Sequence, residues 1–171
     1  MTKLAIPSPV ITTIPVHGSE ELFPVRRVYC IGRNYADHVI EMGNDPKESP
    51  IFFQKNTDNV DTSGKFPYPP QSNDVHHELE LVMALKSGGS NISEADAYQH
   101  IYGFAVGLDM TRRDLQAAAK KGGKPWEVGK AFERSAPMGT LTKIEESGNM
   151  DSGKITLTVN GDVKQDGDLN Q

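Results

Sequence analysis

Short apolar segments, bounded by glycine, proline or charged residues, recur along the chain and predict β-strands. The alternation of side chains along a strand gives each of them two faces. The predicted strands are RRVYCIG (26–32), IFFQK (51–55), HHELELVMAL (76–85), YGFAVGLD (102–109) and the hairpin KITLTVNGDVKQ (154–165). The hairpin prediction depends on its Asn-Gly turn, which is a strong two-residue turn signal.

Besides one short helical turn, two helices are predicted, over EADAYQH (94–100) and RRDLQAAAKK (112–121). Ser93 with Asp96, and Thr111 with Asp114, have the spacing of a helix start. The second helix is expected to stop at the Gly-Gly pair 122–123. Many strands and few short helices indicate a β-rich α+β domain, preceded by a Pro-rich arm over residues 1–25.

Composition narrows the class of protein. A chain of 171 residues is long enough for one domain with a core, and a formal charge of −5 gives no reason to expect nucleic acid or membrane partners. The single cysteine, Cys30, fits a reducing compartment. Prolines interrupt the N-terminus, and no apolar run reaches the roughly 18 residues of a membrane span. We therefore expect a cytoplasmic protein.

The segment HHELELVMAL (76–85) places two carboxylates at the start of an apolar strand. Alternation puts Glu78 and Glu80 on the same face as Val82 and Ala84. Both faces become apolar toward the C-terminal end, which predicts a strand buried on both sides. Buried carboxylates need a positive partner, and either a metal ion or a lysine or arginine would supply it.

Asp109, at the end of another predicted strand, joins Glu78 and Glu80 as a candidate ligand. Three carboxylates without imidazole or thiolate suit a hard cation such as Mg²⁺, Mn²⁺ or Ca²⁺. The alternative is that the two glutamates lie on an exposed edge strand and that Asp109 caps a helix. His76 and His77 do not complete a zinc motif, so we interpret them as structural or supporting groups.

His38 and Glu41 form a second candidate pair, three residues apart in the predicted helical turn NYADHVIEMG (34–43). A carboxylate beside an imidazole orients the ring, as in general bases that deprotonate water. The alternative is an ordinary surface pair. The chain has no phosphate-binding loop, dinucleotide fingerprint or G-x-S-x-G motif, which argues against nucleotide enzymes and serine hydrolases.

Four ordered motifs resemble the fumarylacetoacetate hydrolase family, over roughly residues 26–165. They are VYCIGRNYADHVIEMG (28–43), HHELELV (76–82), GFAVGLDMTRRDLQ (103–116) and GKPWEVGKAFERSAP (123–137). Four motifs in the family's order are far more specific than one. The segments LFPVRRVYCIGRNYA, FPYPP and LDMTRRDLQ are most similar to the bacterial fumarylpyruvate hydrolase branch of that family.

The resemblance implies a mixed β-roll, usually homodimeric, with Mg²⁺ or Mn²⁺ held by carboxylates that match Glu78, Glu80 and Asp109. It also implies a His-Glu dyad, matching His38 and Glu41, on a loop that orders over the substrate.

Further site residues follow from the same resemblance. The family's active-site lysine matches Lys130, and four other residues match positions near the substrate. Those four are Arg33, Lys55, Arg113 and Gln116. Family domains continue past the position of Gln171 with a Gly-Thr-Pro-x-Gly-Val-Gly loop, so the resemblance implies a catalytic domain over 26–171 that is truncated at its C-terminus.

The implied activity is metal-dependent hydrolysis of a carbon–carbon bond in a 3-acylpyruvate, a small 2-oxo acid. Fumarylpyruvate, cleaved to fumarate and pyruvate in aromatic catabolism through gentisate, is the leading substrate. Oxaloacetate decarboxylation and dienedioate isomerisation are alternatives within the family. A catalytically silent metal-binding scaffold and a simple 2-oxo-acid-binding module are the non-enzymatic alternatives.

Overall fold

Paired strands dominate the computed structural model, which describes residues 3–32, 34 and 49–170. The strands are β1 (Thr13–Pro15), β2 (Leu22–Pro24), β3 (Val28–Gly32), β4 (Ile51–Lys55), β5 (Val60–Asp61), β6 (Val75–His76), β7 (Leu79–Leu85), β8 (Ile101–Leu108), β9 (Thr111–Arg112), β10 (Ala136–Pro137), β11 (Thr142–Lys143), β12 (Lys154–Val159) and β13 (Asp162–Asp168). The predicted β-rich α+β class is confirmed.

Helices are short in the described part of the chain. They are α1 (Glu94–Ala97), α2 (Arg113–Lys121), α3 (Glu127–Lys130) and α4 (Ile144–Ser147), with 3₁₀ turns at Thr57–Asn59 and Tyr98–His100. Ser93 caps α1 as predicted, since its side chain accepts a hydrogen bond from the amide of Asp96. Among these helices none is long and apolar enough to cross a membrane.

The antiparallel pair β7–β8 sets the position of the candidate acids. Glu80 pairs with Gly107, so the start of β7 faces the end of β8. One step further along, the amide of Asp109 donates to the carbonyl oxygen of Glu78 over 2.8 Å. This register places Asp109 directly opposite Glu78, on the face that the two glutamates share.

The core lies against the same sheet, which β11 extends to three strands. Ala84 of β7 and Ala105 of β8 pack with Ile14 of β1 and with Leu141, whose side chain is fully buried. The second half of the N-terminal arm (residues 1–25) therefore contributes to the core through the β1–β2 hairpin.

The opposite face of β7 is more exposed than the sequence predicts. Met83 and Leu85 are 51% and 56% exposed, and Val106, across from Leu81 on β8, is 51% exposed. The prediction of a strand buried on both sides is therefore wrong for the second half of β7. The apolar side chains on that face, such as Met83 and Leu85, are not covered by the other described parts of this chain.

Gly103 lies where β8 passes closest to the backbone of β11. A Cβ atom there would lie 2.1 Å from the carbonyl oxygen of Thr142, so the two strands would have to separate. We expect Gly103→Ala to lower the free energy of unfolding by about 3 kcal/mol or more, the upper end of overpacking costs. Denaturant unfolding measures this loss. Gly88→Ala is the control, because its Cβ would meet nothing within 4 Å, and equal losses in both variants would contradict the argument.

Candidate metal centre

Three carboxylates converge where β7 begins and β8 ends. Glu78, Glu80 and Asp109 each offer one oxygen, and these oxygens lie within 4.8 Å of one another. Asp109 is only 4% exposed and caps no helix, because α2 begins at Arg113. The structure thus brings the three candidate ligands together and contradicts the alternative in which Asp109 caps a helix. β7 is an edge strand of its sheet, as that alternative expects, but Glu78 and Glu80 are half-buried there.

Lys130, the last residue of α3, points into this carboxylate cluster. Its ammonium nitrogen lies 2.6 Å from Glu78 Oε2 and 2.8 Å from Asp109 Oδ2. It also donates to Thr111 Oγ1 over 2.7 Å and lies 5.1 Å from the centre of the Phe53 ring. Lys130 is therefore a fixed, buried positive charge beside two of the three acids.

A glycine makes that position of Lys130 possible. A Cβ atom on Gly129 would lie 2.9 Å from the backbone nitrogen of Gln116, so only glycine lets α3 approach α2 this closely. Gln116 is itself buried, and its Oε1 accepts a hydrogen bond of 2.6 Å from Arg113 Nη1. The close contact of α2 and α3 brings the predicted residues Arg113, Gln116 and Lys130 to one side of the cluster.

Arg113 and Lys130 contact different carboxylate oxygens of Glu78. The Nη2 atom of Arg113 forms an ion pair with Glu78 Oε1, while Lys130 contacts the second oxygen. Burial opposes ionisation of Glu78, but the charges of Lys130 and Arg113 outweigh it and keep the pKa of Glu78 below its ordinary value. Glu78 is accordingly ionised at neutral pH.

Glu80 has the opposite environment. Burial and the negative charges of Asp109 and Glu78 raise the pKa of Glu80 to about 8. No lysine or arginine in the described part of the chain lies within ion-pair distance of its carboxylate. Without a metal, Glu80 is therefore mostly protonated at neutral pH, and its charged form has no ion-pair partner among the described residues.

A divalent cation fits these residues. It would compensate the charge of Glu80, and oxygen-only ligands are those that Mg²⁺ and Mn²⁺ prefer. Asp109 Oδ1 is buried and accepts no hydrogen bond from the described residues, although the Lys55 ammonium lies 2.9 Å away as an ion pair. A lone pair on this oxygen is therefore available for a metal.

Lys55, predicted near the substrate, lies at the end of β4 with its side chain only 1% exposed. Burial lowers the pKa of Lys55, while the neighbouring Asp109 carboxylate favours its charged form. Three further predicted residues, Arg33, His38 and Glu41, lie outside the described residues. Their predicted roles remain predictions.

Thr111 belongs to the site, but its sequence pattern indicates a different role. Its side chain is fully buried, accepts from Lys130 and donates to the carbonyl oxygen of Asp109 over 3.1 Å. The spacing to Asp114 predicts a helix cap there, and this prediction is wrong because Thr111 pairs with His76 in the β6–β9 ladder. Only its position two residues after Asp109 hints at the contact.

Comparisons with known proteins show which proteins the chain is similar to. The family model described as fumarylacetoacetate (FAA) hydrolase C-terminal matches residues 27–171. The crystal structure of fumarylpyruvate hydrolase from Pseudomonas aeruginosa, in complex with Mn²⁺ and pyruvate, is 45% identical with a TM-score of 0.93. That match covers 98% of this chain and 75% of the other.

The curated relatives are named for a different activity. An oxaloacetate tautomerase of Escherichia coli is 37% identical over 147 residues, 85% of this chain and 67% of the relative. A mitochondrial oxaloacetate tautomerase of Caenorhabditis elegans is 36% identical over 140 residues, 81% of this chain and 65% of the relative. The chain therefore spans about two thirds of the length of these curated relatives.

Proposed function

The chain belongs to the fumarylacetoacetate hydrolase family and has the fold of its C-terminal domain, and we propose that it hydrolyses the carbon–carbon bond of a 3-acylpyruvate. Fumarylpyruvate is the proposed substrate, and fumarate and pyruvate are the products. The observation that carries this proposal is the carboxylate cluster, which can hold a divalent cation beside fixed cationic side chains. The similarity to a fumarylpyruvate hydrolase at 45% identity supports the choice of substrate.

Glu78, Glu80 and Asp109 would hold Mg²⁺ or Mn²⁺ in this proposal. A bound cation supplies Lewis-acid stabilisation of the negative charge that develops on the 2-oxo acid during cleavage. Glu80 would become a charged ligand when the cation displaces its proton, while the buried Asp109 would be a rigid ligand.

The proposed reaction starts at His38. Oriented by Glu41, its imidazole would take a proton from water, and the water oxygen would bond to the distal carbonyl carbon of the substrate. Collapse of this tetrahedral species breaks the bond to the methylene carbon of the pyruvate unit, which keeps the electron pair as an enolate. Protonated His38 then returns its proton to that carbon. The new carboxyl group loses its proton to solvent, so one water is consumed and fumarate and pyruvate are formed.

The cationic side chains would bind and polarise the substrate. Arg113 fixes the amide of Gln116 by donating to its oxygen, which leaves the amide nitrogen as a donor for the developing oxyanion. Lys130 would add positive charge beside the pyruvate unit. An ammonium that already lies in place needs no reorganisation during the reaction, which is the condition under which such charges are effective.

A second candidate function is conversion of oxaloacetate, by tautomerisation or decarboxylation. The two oxaloacetate tautomerases at 37% and 36% identity favour it, and the same enolate stabilisation serves it. Parallel assays of fumarylpyruvate loss and of oxaloacetate turnover, each with and without Mn²⁺, test both functions. Turnover of oxaloacetate alone would replace the first proposal by the second.

Oxalate provides a test of the substrate class. It is planar and dianionic like the enolate of pyruvate, so we expect competitive inhibition that requires Mg²⁺ or Mn²⁺. An acyl ketone lacking the 2-oxo carboxylate should react about 10⁴-fold more slowly, since the site's charged groups would lose their partner. Initial-rate measurements test both expectations, with succinate as the non-chelating control. Metal-independent turnover of a simple ester at a similar rate would contradict the acylpyruvate mechanism.

A further inference from the structure

Lys55 directs its ammonium group to three protein oxygens beneath the carboxylate cluster. The nitrogen lies 2.9 Å from Asp109 Oδ1 and donates to the carbonyl oxygen of Met110 over 3.2 Å. It also donates to the carbonyl oxygen of Lys130. Two of the three ammonium protons are thus donated to backbone carbonyl oxygens, and the ion pair with Asp109 is the third contact. With its side chain 1% exposed, Lys55 faces the protein and not a substrate.

Two separate chain segments meet at this ammonium. Asp109 and Met110 follow the end of β8, whereas Lys130 ends α3, and both groups are distant in sequence from Lys55 on β4. The carbonyl oxygen of Lys130 also accepts from Ser135 Oγ over 3.0 Å, which fixes its direction. Lys55 therefore links the backbone that carries the proposed metal ligand to the backbone that carries the active-site lysine.

We propose that Lys55 is a positioning residue: it holds the Asp109 carboxylate ready for the metal and keeps the end of α3 at a fixed distance from it. This inference rests on the proposed function only in taking Asp109 as a metal ligand. Groups that orient metal ligands typically change metal affinity 10- to 100-fold when they are removed. A buried ammonium without its anionic partner would be strongly unfavourable, which explains why Lys55 and Asp109 occur as a pair.

Removing Lys55 should change Mn²⁺ affinity in opposite directions for a positioning role and for a purely electrostatic role. A positive charge near a cation site repels the cation, so deleting that charge should tighten metal binding if Coulomb repulsion is all that Lys55 contributes. Deleting a positioning group should weaken it, because Asp109 then loses its fixed orientation. The direction of the change in affinity separates the two roles.

The experiment is titration of the purified chain with Mn²⁺, with bound metal followed calorimetrically and by electron paramagnetic resonance. We expect Lys55→Met to weaken Mn²⁺ binding about 10- to 100-fold. Lys65→Met is the matched control, because Lys65 is exposed and its amide donates to Ser63, which is not part of the cluster. The Mn²⁺ affinity of this variant should equal that of the parent. Unchanged or tighter binding by Lys55→Met would overturn the proposal.

Two further readouts keep the test decisive. A merely structural role would lower the melting temperature of Lys55→Met without changing the Mn²⁺ affinity of its folded fraction. Should that variant not fold, a crystal structure of the parent chain with Mn²⁺ decides: Lys55 must still contact Asp109 while Asp109 binds the ion, and separation of the two rejects the proposal. The parent chain could bind Mn²⁺ and yet fail to cleave fumarylpyruvate, which would reject the proposed hydrolysis. If Lys55→Met then still weakens Mn²⁺ binding, the inference about Lys55 stands.

Discussion

We expect His38→Ala to lower kcat for fumarylpyruvate hydrolysis by about 10²–10⁴-fold, the usual contribution of a general base. Mn²⁺ affinity should not change, because His38 is not among the proposed ligands. With Mn²⁺ saturating at every pH, any lower limb of the pH profile of kcat/KM that belongs to the proposed base should disappear in the variant. Steady-state kinetics across pH and a Mn²⁺ titration measure the three quantities.

The partner Glu41 makes this prediction sharper. If Glu41 acts only by orienting His38, the Glu41→Gln and His38→Ala losses are not additive, and the double variant should be no slower than His38→Ala alone. His17→Ala is a matched control, since His17 is an exposed histidine in the described structure. A double variant that loses the product of the two single effects would show that the residues act independently.

The convergence of the three acids could be predicted because it depends on local patterns. Alternation along HHELELVMAL places Glu78 and Glu80 on one face, and a strand that follows soon in the chain is expected to pair with it. If the two strands pair antiparallel, the end of the second strand lies beside the start of the first. Asp109, which ends the second strand, is then expected near Glu78 and Glu80. The structure supplies the register, with Glu80 opposite Gly107.

The surroundings of the acids could not be predicted in the same way. Thr111 and Asp114 satisfy a local capping pattern, yet the chain uses Thr111 in a strand pair with His76, a contact across 35 residues. The amide of Arg113 donates to the carbonyl oxygen of Asp74 instead of being capped by a side chain. Long-range pairing overrides local propensity here, which single-sequence patterns do not encode.

The burial of Lys55 also could not be predicted from the sequence. A lysine on a predicted strand is usually exposed, and IFFQK contains nothing that indicates burial of its last residue. The burial follows only from the packing of β4 against the segments that carry Asp109 and Lys130. The family resemblance finds the position of Lys55, but only the contacts show what its ammonium group faces.

The affinity of the chain for Mn²⁺ should rise about tenfold per pH unit below pH 8. Because burial and the two neighbouring acids raise the pKa of Glu80 to about 8, this carboxyl is protonated at pH 6 and a metal must displace its proton. The expected increase from pH 6 to pH 8 is thus about 10²-fold, with a plateau above. Calorimetric titration at several pH values, in buffers of different ionisation enthalpy, measures both the affinity and the number of protons released.

Glu80 also makes the metal-free protein sensitive to pH, with the opposite sign to a salt-bridged acid. Its folded pKa is above the unfolded value of 4.5, so the folded state holds an extra proton between about pH 4.5 and pH 8. Stability therefore falls as pH rises through this window, and Mn²⁺ should restore it most at pH 8.

Glu80→Gln should bind Mn²⁺ more weakly and lose most of the pH dependence, whereas Glu94→Gln, at an exposed position, should behave as the parent. A parent whose Mn²⁺ affinity is constant from pH 6 to pH 8 would show that Glu80 is already ionised, and that its charge does have a partner in the folded protein.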